Sequence, residues 1–442
     1  MDLNIKTEKS ISMIIKEWAM QSTSHGIPKI ASSPYTIIKI MWTIFFVASF
    51  GFCSYCLINS FREYFKYDVN TQMSVTTQSS LEFPTITFCN KNPFKTDDTD
   101  FEFRSLLREI YNKSVKSSFN QGFNDLQKQS LFLEQVSRLM IYRAVEKDQR
   151  NKLSYNIDEM LISCSFNLET CNKDLFSHYW SNTYGNCYQF NNGKNYSIKS
   201  STNPGKMNGL KLDLYAAKPK SKYSFIKSNG IIIFIHNSST LPIMTIEGLS
   251  LPTGFETDVK IKKVSIKRLP SPHNNCVDDF DSFELYKKTK EINTVYTQKF
   301  CIQLCYQEYL IKNCNCYEIN SFDIPYSLPC GENELISCVY PKILDYFNSN
   351  ISMECLKKCP QECDTYNYEI KTSQAIFPTP FYADLIMNYA NNTIRNLTKI
   401  EEIRETCLSV SIYFDELTST VIEEQPNKTP IQLVSDLGGS CG

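Results

Sequence analysis

The sequence lacks an excess of charge of either sign: 46 Lys and Arg face 47 Asp and Glu, a net charge of -1. No Lys/Arg cluster interleaves with aromatics, which argues against a nucleic-acid surface. Histidine is nearly absent, at 4 in 442 residues, so metal or acid–base chemistry has little material to use. Gly-X-Ser-X-Gly, His-Glu-X-X-His and a Gly-rich phosphate loop are missing too, and no cofactor or metal site is expected. The chain therefore does not read as an enzyme. Glycine is scarce at 14, while Tyr and Phe number 26 and 28, a composition that suits packed β-sheets better than flexible chain. There is no internal repeat and no low-complexity tract. Two local absences matter more: the first 39 residues hold no cysteine, and Ile40–Ile58 holds no charge.

That uncharged run, IMWTIFFVASFGFCSYCLI, is bounded by Lys39 and Arg62. Its length at about 1.5 Å per residue is about 28 Å, close to the roughly 30 Å of hydrocarbon in a bilayer. A cleaved signal peptide would be shorter, nearer the start and followed by a small-residue cleavage site. Beyond the run come 15 cysteines before residue 440 and seven Asn-X-Ser/Thr sequons, at Asn112, Asn195, Asn237, Asn350, Asn391, Asn396 and Asn427. Disulfides persist in oxidising compartments, and sequons mark surface loops of secreted regions. Residues 1–39 carry five Lys against three acids, agreeing with a cytosolic N-terminus. The layout is a cytosolic tail over 1–36, a membrane helix over 37–58 and an extracellular domain over 59–436.

Along the tail, Ile11, Ile14, Ile15 and Trp18 have helical spacing, suiting a short helix on the inner membrane face. His25-Gly26-Ile27-Pro28 then breaks the helix, and His25 on its own reads as a turn histidine. LEFPTITFCN at 81–90 reads as a strand. Residues 95–160 become helical, with acids at Asp97, Asp98, Asp100 and Glu102 and helical spacing at Leu133, Val136 and Met140. Short β runs follow, LKLDLYA, GIIIFIH and DVKIKKVSIKRLP, and later LSVSIYFDEL at 408–417. Separate β runs with helical inserts give an α+β class.

Residues 276–363 hold ten cysteines. Cys301 and Cys305 sit four apart in FCIQLCYQEYLIKNC, which reads as a helix and puts both sulfurs on one face. Zinc is the rival reading, but C-x-x-C knuckles are absent from this block and extracellular cysteine favours disulfides. Ten cysteines leave hundreds of pairings open. A nested set would zip antiparallel segments into a stiff rod suited to a lever.

Several segments together resemble the degenerin / epithelial sodium channel / acid-sensing ion channel family of amiloride-sensitive sodium channels. They are His25-Gly26, Phe83–Asn90, Leu161–Phe166, Tyr184–Asn191, Asn208–Leu214, Ile235-His236, Leu269–Pro272, the ten-cysteine block, Val410–Phe414 and Ser435–Gly439. The resemblance implies a trimer of two-span subunits in the plasma membrane, homomeric or with related channel subunits. Each ectodomain is likened to a hand with palm, β-ball, finger, thumb and knuckle. The finger would fall at about 95–160 and the thumb at about 276–363. It further implies the pairs Cys89–Cys187, Cys164–Cys171, Cys276–Cys363, Cys301–Cys359, Cys305–Cys355, Cys314–Cys338 and Cys316–Cys330, with Cys407 left over on a palm strand. His25 and Gly26 would form the cytosolic gating motif, Tyr67 and His273 a gating contact, and Gly438 and Gly439 the approach to the pore.

Three departures stand out. The family continues from the glycine pair into a second span carrying gate and filter, so 437–442 reads as the lead-in to a missing helix and the chain as truncated. His273 occupies a slot that is usually aromatic. Asp68 and Val69 follow Tyr67 where proton-gated members carry histidines. Finger acids facing thumb carboxylates such as Asp345 would raise each other's pKa; a solvated acidic face is the alternative. The expected function is a subunit of a sodium-selective channel set in membrane lipid, opened through its extracellular domain by a peptide or protons. The rival is a non-conducting regulatory or dominant-negative subunit, or a single-pass receptor.

Overall fold

A computed structural model describes residues 11–441 apart from 96–100, 121–124, 195, 219–225, 245–246, 282, 293, 320–321 and 391–396. In chain order the helices are α1 (Ile11–Gln21), α2 (Ile27–Ser32), α3 (Thr36–Phe65), α4 (Phe101–Asn120), α5 (Leu126–Ala144), α6 (Lys147–Leu153), α7 (Ile157–Met160), α8 (Glu284–Glu291) and α9 (Gln298–Cys314). They continue with α10 (Glu332–Glu334), α11 (Tyr340–Asn348), α12 (Ile351–Lys358), α13 (Pro380–Ala390), α14 (Ile400–Thr406) and α15 (Pro430–Cys441). The strands are β1 (Val69–Thr77), β2 (Leu81–Glu82), β3 (Thr85–Asn90), β4 (Leu161–Phe166), β5 (Glu169–Thr170), β6 (Phe176–Ser181), β7 (Gly185–Phe190) and β8 (Ser200–Ser201). They end with β9 (Leu210–Tyr215), β10 (Ile231–His236), β11 (Leu249–Leu251), β12 (Phe255–Lys267), β13 (Cys276–Val277), β14 (Gln361–Glu362), β15 (Asp364–Ile376) and β16 (Cys407–Pro426).

Two compact units emerge: Met1–Gln72 with Glu424–Gly442, and Met73–Glu423. The smaller unit is built on α3. This helix starts near the expected boundary but runs seven residues past Ile58, to Phe65. Polar residues there end the apolar signal without ending the helix: Asn59 donates to Glu63 one turn on (3.2 Å), and Phe61 stacks on Phe65. Ser60 is its one buried residue among those described. None of its most apolar stretch is buried, as suits a helix in lipid, though Trp42, Phe46, Cys53 and Leu57 are half-buried along one side. α15 likewise begins earlier than the expected lead-in at 437. Thr429 caps it, accepting from the Gln432 amide (3.2 Å) while the Gln432 side chain accepts from the Thr429 amide (2.8 Å).

In the larger unit one sheet runs β15-β12-β16-β9-β4-β5, with β1 also pairing β16. β12 and β16 are parallel and its other registered pairs antiparallel. The second sheet runs β11-β10-β3-β7-β6, all antiparallel. Their apolar faces share one core, because alternation turns Leu210, Leu212 and Leu214 of β9, and Leu408, Val410 and Ile412 of β16, to the same side. Phe83 sits at its centre, edge-on to Phe166, Phe190 and Phe414 at 5.1, 6.3 and 6.0 Å. Gly209 lets these strands close: a Cβ there would lie 2.1 Å from the Ile412 carbonyl oxygen.

The helical insertion expected at 95–160 is α4–α7. Phe132, Val136 and Leu139 of α5 pack into a second core with α9, α11 and the cysteines of that region. Asp97, Asp98 and Asp100 lie outside the described residues, as does the side chain of Glu102.

Candidate functional site

In the smaller unit Gly26 caps α2 at φ +100°, a left-handed conformation that favours glycine. It is buried against Phe46 and Trp42 of α3, while His25 is exposed beside it. Gly26 rather than His25 thus makes the contact with the membrane-length helix. At the other end of α3, Tyr67 also adopts a positive φ of 53° and packs its ring near Tyr64 and Phe65. His273 belongs to the larger unit, where its amide donates to the Pro270 carbonyl (3.1 Å) in the turn after β12.

The end of α3 also carries a feature the sequence did not announce. Lys428 donates to the Ser60 hydroxyl (2.7 Å) and pairs with Asp436 (2.8 Å) and Glu63 (3.6 Å). Ser60 in turn reaches Asp436 (3.4 Å). This clasp joins α3 to α15, one turn before Gly438 and Gly439, whose Cα atoms face open space. Hydrogen bonding to Lys428 holds the Asp436 carboxyl below its usual range, and Asp436 holds the Lys428 ammonium above its own. Asn427 is exposed next to the clasp, its amide oxygen accepting from Asn70 (2.8 Å).

In the larger unit the cysteines form a ladder. Cys276–Cys363 closes its base at the β13/β14 pair; Cys301–Cys359 and Cys305–Cys355 clip α9 to α12; Cys314–Cys338 and Cys316–Cys330 lie inside them. Cα separations run from 4.7 to 5.8 Å, within ordinary disulfide reach. α9 is held by a Thr297 cap accepting from the Phe300 amide (3.1 Å) and by Asn315 in the left-handed region. Two further bridges staple the sheets. Cys89–Cys187 joins directly opposed residues of β3 and β7, and Cys164–Cys171 closes the β4–β5 turn. Cys407 lies buried at the start of β16, outside these seven bridges.

Polar bonds, buried at Tyr306 and exposed at Asp323, tie the helical insertion to the ladder. Tyr306 of α9 donates to Glu318 (2.8 Å), whose other oxygen takes the Gln135 amide of α5 (3.5 Å). Tyr340 of α11 donates to Gln135 (2.7 Å). Asp323 accepts from Asn182 (2.7 Å), Tyr317 (3.2 Å) and Tyr142 of α5 (3.4 Å). Burial raises the phenols of Tyr306, Tyr317 and Tyr340, so they stay protonated donors. Asp345 pairs locally with Lys342 (2.9 Å). His236, buried beside Thr87 (2.8 Å), is pushed down to about 4 by desolvation and is neutral at physiological pH.

The sequons divide by setting. Asn350 is exposed at the start of α12, and Asn237 is half-buried in the turn after β10. Asn112 is exposed on α4, a helix and not the loop expected of a sequon, and its partner Ser114 is buried against Ser137 (3.3 Å). Asn195, Asn391 and Asn396 lie outside the described residues.

The sequence matches known proteins. A family model described as "Amiloride-sensitive sodium channel" matches residues 18–442. The chain is 27% identical over 308 residues to the epithelial sodium channel subunit beta of Homo sapiens, covering 68% of this chain and 47% of that protein. It is 27% identical over 329 residues to the FMRFamide-activated amiloride-sensitive sodium channel of Cornu aspersum, covering 71% and 49%. Against the epithelial sodium channel subunit alpha of Cavia porcellus it is 22% identical over 514 residues, covering 98% and 74%. The chain thus spans about half the length of the first two relatives. The family match takes in the span, both sheets and the whole cysteine ladder, and the chain belongs to the amiloride-sensitive sodium channel family.

Proposed function

We propose that the chain is a subunit of a sodium-selective plasma-membrane channel, a trimer formed with copies of itself or with related subunits, opened through its extracellular domain. The observation that carries this reading is α3, a 30-residue apolar helix with none of its most apolar stretch buried, in a chain whose larger unit holds seven disulfides. A lipid-facing span and an oxidised domain are what such a subunit requires on the two sides of one membrane surface. α1, with Ile11, Ile14, Ile15 and Trp18 exposed, then rests on the cytosolic leaflet.

The two sheets serve as palm and β-ball, α4–α7 as finger, and α8–α12 with their disulfides as thumb. The ladder makes the thumb stiff, and the Tyr306–Glu318–Gln135 bonds pass its displacement to the finger. β1 and β16, which run on into the segments next to α3 and α15, carry it towards the membrane helices. A ligand opens the channel by binding the open arrangement more tightly than the closed one.

A peptide is the favoured ligand. A relative is FMRFamide-activated by name, and this chain has Asp68 and Val69 after Tyr67, with His236 buried and neutral. Voltage-clamp recording of the chain co-expressed with epithelial sodium channel subunits tests the reading. A sodium current blocked by amiloride and altered by amidated peptides is expected. No change from the partner subunits alone, in any combination, contradicts it.

A further inference from the structure

The outer face of the larger sheet holds a buried polar row. Register places Asp213 of β9 opposite Ser409 of β16 and Ser163 of β4. On the parallel side Ser409 faces Glu256, and Ser411 faces Asp258, both of β12. Alternation sets all of these on the side away from the apolar core.

The face is nevertheless dry: Asp213 is 2% exposed, Ser409 1% and Ser411 1%. Asp213 Oδ2 accepts from Ser163 (2.6 Å) and from the Tyr382 hydroxyl of α13 (2.8 Å). Asp213 Oδ1, Ser409 Oγ and Ser411 Oγ have no hydrogen-bond partner among the described residues. A buried polar atom without a partner is costly, and three on neighbouring strands call for a ligand. Lys206 holds Glu256 and Asp258, at 2.7 Å each, and Lys211 lies 6.0 Å from the Tyr382 ring centroid. Lys206 thus bridges Glu256 and Asp258, while Asp213 has no ion pair among the described residues.

The available atoms are a carboxylate oxygen and two hydroxyls, all hard oxygen donors. They suit a hard cation of single charge. A divalent or transition metal does not fit, since no group of three His, Cys, Asp or Glu among the described residues is placed to hold one. We propose that Asp213 Oδ1, Ser409 Oγ and Ser411 Oγ bind a sodium ion on the outer face of this sheet. The ion supplies the missing charge and satisfies three orphaned atoms together. Binding on this face does not depend on the channel reading, because its readout is stability and not current.

Thermal unfolding of the full chain in detergent tests it, in sodium chloride against N-methyl-D-glucamine chloride at the same ionic strength, about 0.15 M. Sodium at tenfold excess over its dissociation constant raises the midpoint by about 2 °C. Ser411→Ala and Ser409→Ala remove that rise, yet are as stable as the parent, or more so, in the organic cation, since an orphaned hydroxyl is gone. Asp213→Asn removes the rise as well. A midpoint indifferent to sodium in the parent chain overturns the site. So does a serine variant that loses equal stability in both salts, which marks ordered water only.

Discussion

Removing single rungs of the cysteine ladder tests whether the bridges act as a nested set. Taken alone, Cys305–Cys355 closes a separation of 50 residues and Cys276–Cys363 one of 87. With Cys301–Cys359 intact, the closed rings are smaller. Cys305–Cys355 then closes five residues on each strand, ten in all. Cys276–Cys363 closes 26 residues on one strand and five on the other. Chain entropy gives about 2.7 kcal/mol for the first ring and about 3.7 kcal/mol for the second. Unfolding entropy scaled to this unit turns these into losses of about 4 and about 5 °C. The assay is thermal unfolding of Cys305→Ala/Cys355→Ala and Cys276→Ala/Cys363→Ala under non-reducing conditions, with the remaining bridges checked by mass. An inner-rung loss equal to or greater than the outer-rung loss refutes the nested-ring reasoning.

Four further outcomes follow. Gly26→Ala should cost about 1–2 kcal/mol through its left-handed backbone, since the new Cβ meets Phe46 only at ordinary contact; hydrogen exchange at the α2 amides reads this. Gly209→Ala drives a Cβ into the Ile412 carbonyl and should abolish surface expression on blots of labelled cells, while Gly205→Ala, strained by its φ of +94° but with open space around it, should keep most of it. His236 has a folded pKa near 4, below its unfolded value, so its contribution is complete above about pH 6.5 and is lost as pH falls toward 4, by up to about 3 kcal/mol; His236→Gln should flatten the stability profile over that window. Lys428→Gln should loosen α15 from α3, read as faster proteolysis between Gln425 and Pro430, and Lys428→Arg should restore protection.

Much of the frame was legible because it depends on local pattern. The uncharged run located α3, alternation located β9, β12 and half of β16, a continuous apolar run located β10, and cysteine spacing located α9. The C-terminal turns of α3 were hidden because Arg62 and Glu63 look like an ending. β15 was hidden for a different reason: only Tyr366, Tyr368 and Ile370 alternate, and the rest of this exposed edge strand is mostly polar. The site was less legible than the fold. Spacing alone left the disulfide pairs open, and their expected pattern came from resemblance. Nothing local brings Lys428 to Ser60 across 368 positions. Asp213 looks solvent-facing between Leu212 and Leu214, yet it is buried, with Tyr382 of α13 and Ser163 of β4 both bonded to it.

The central claim is that α3 crosses the plasma membrane and leaves the disulfide-bonded unit outside. Protease applied to intact, unpermeabilised cells expressing the chain with a tag on its N-terminus tests it. The account predicts a tagged remnant ending shortly after Phe65, with the tag itself reached only after permeabilisation. A chain left whole on intact cells, or a tag cut away before permeabilisation, would contradict it.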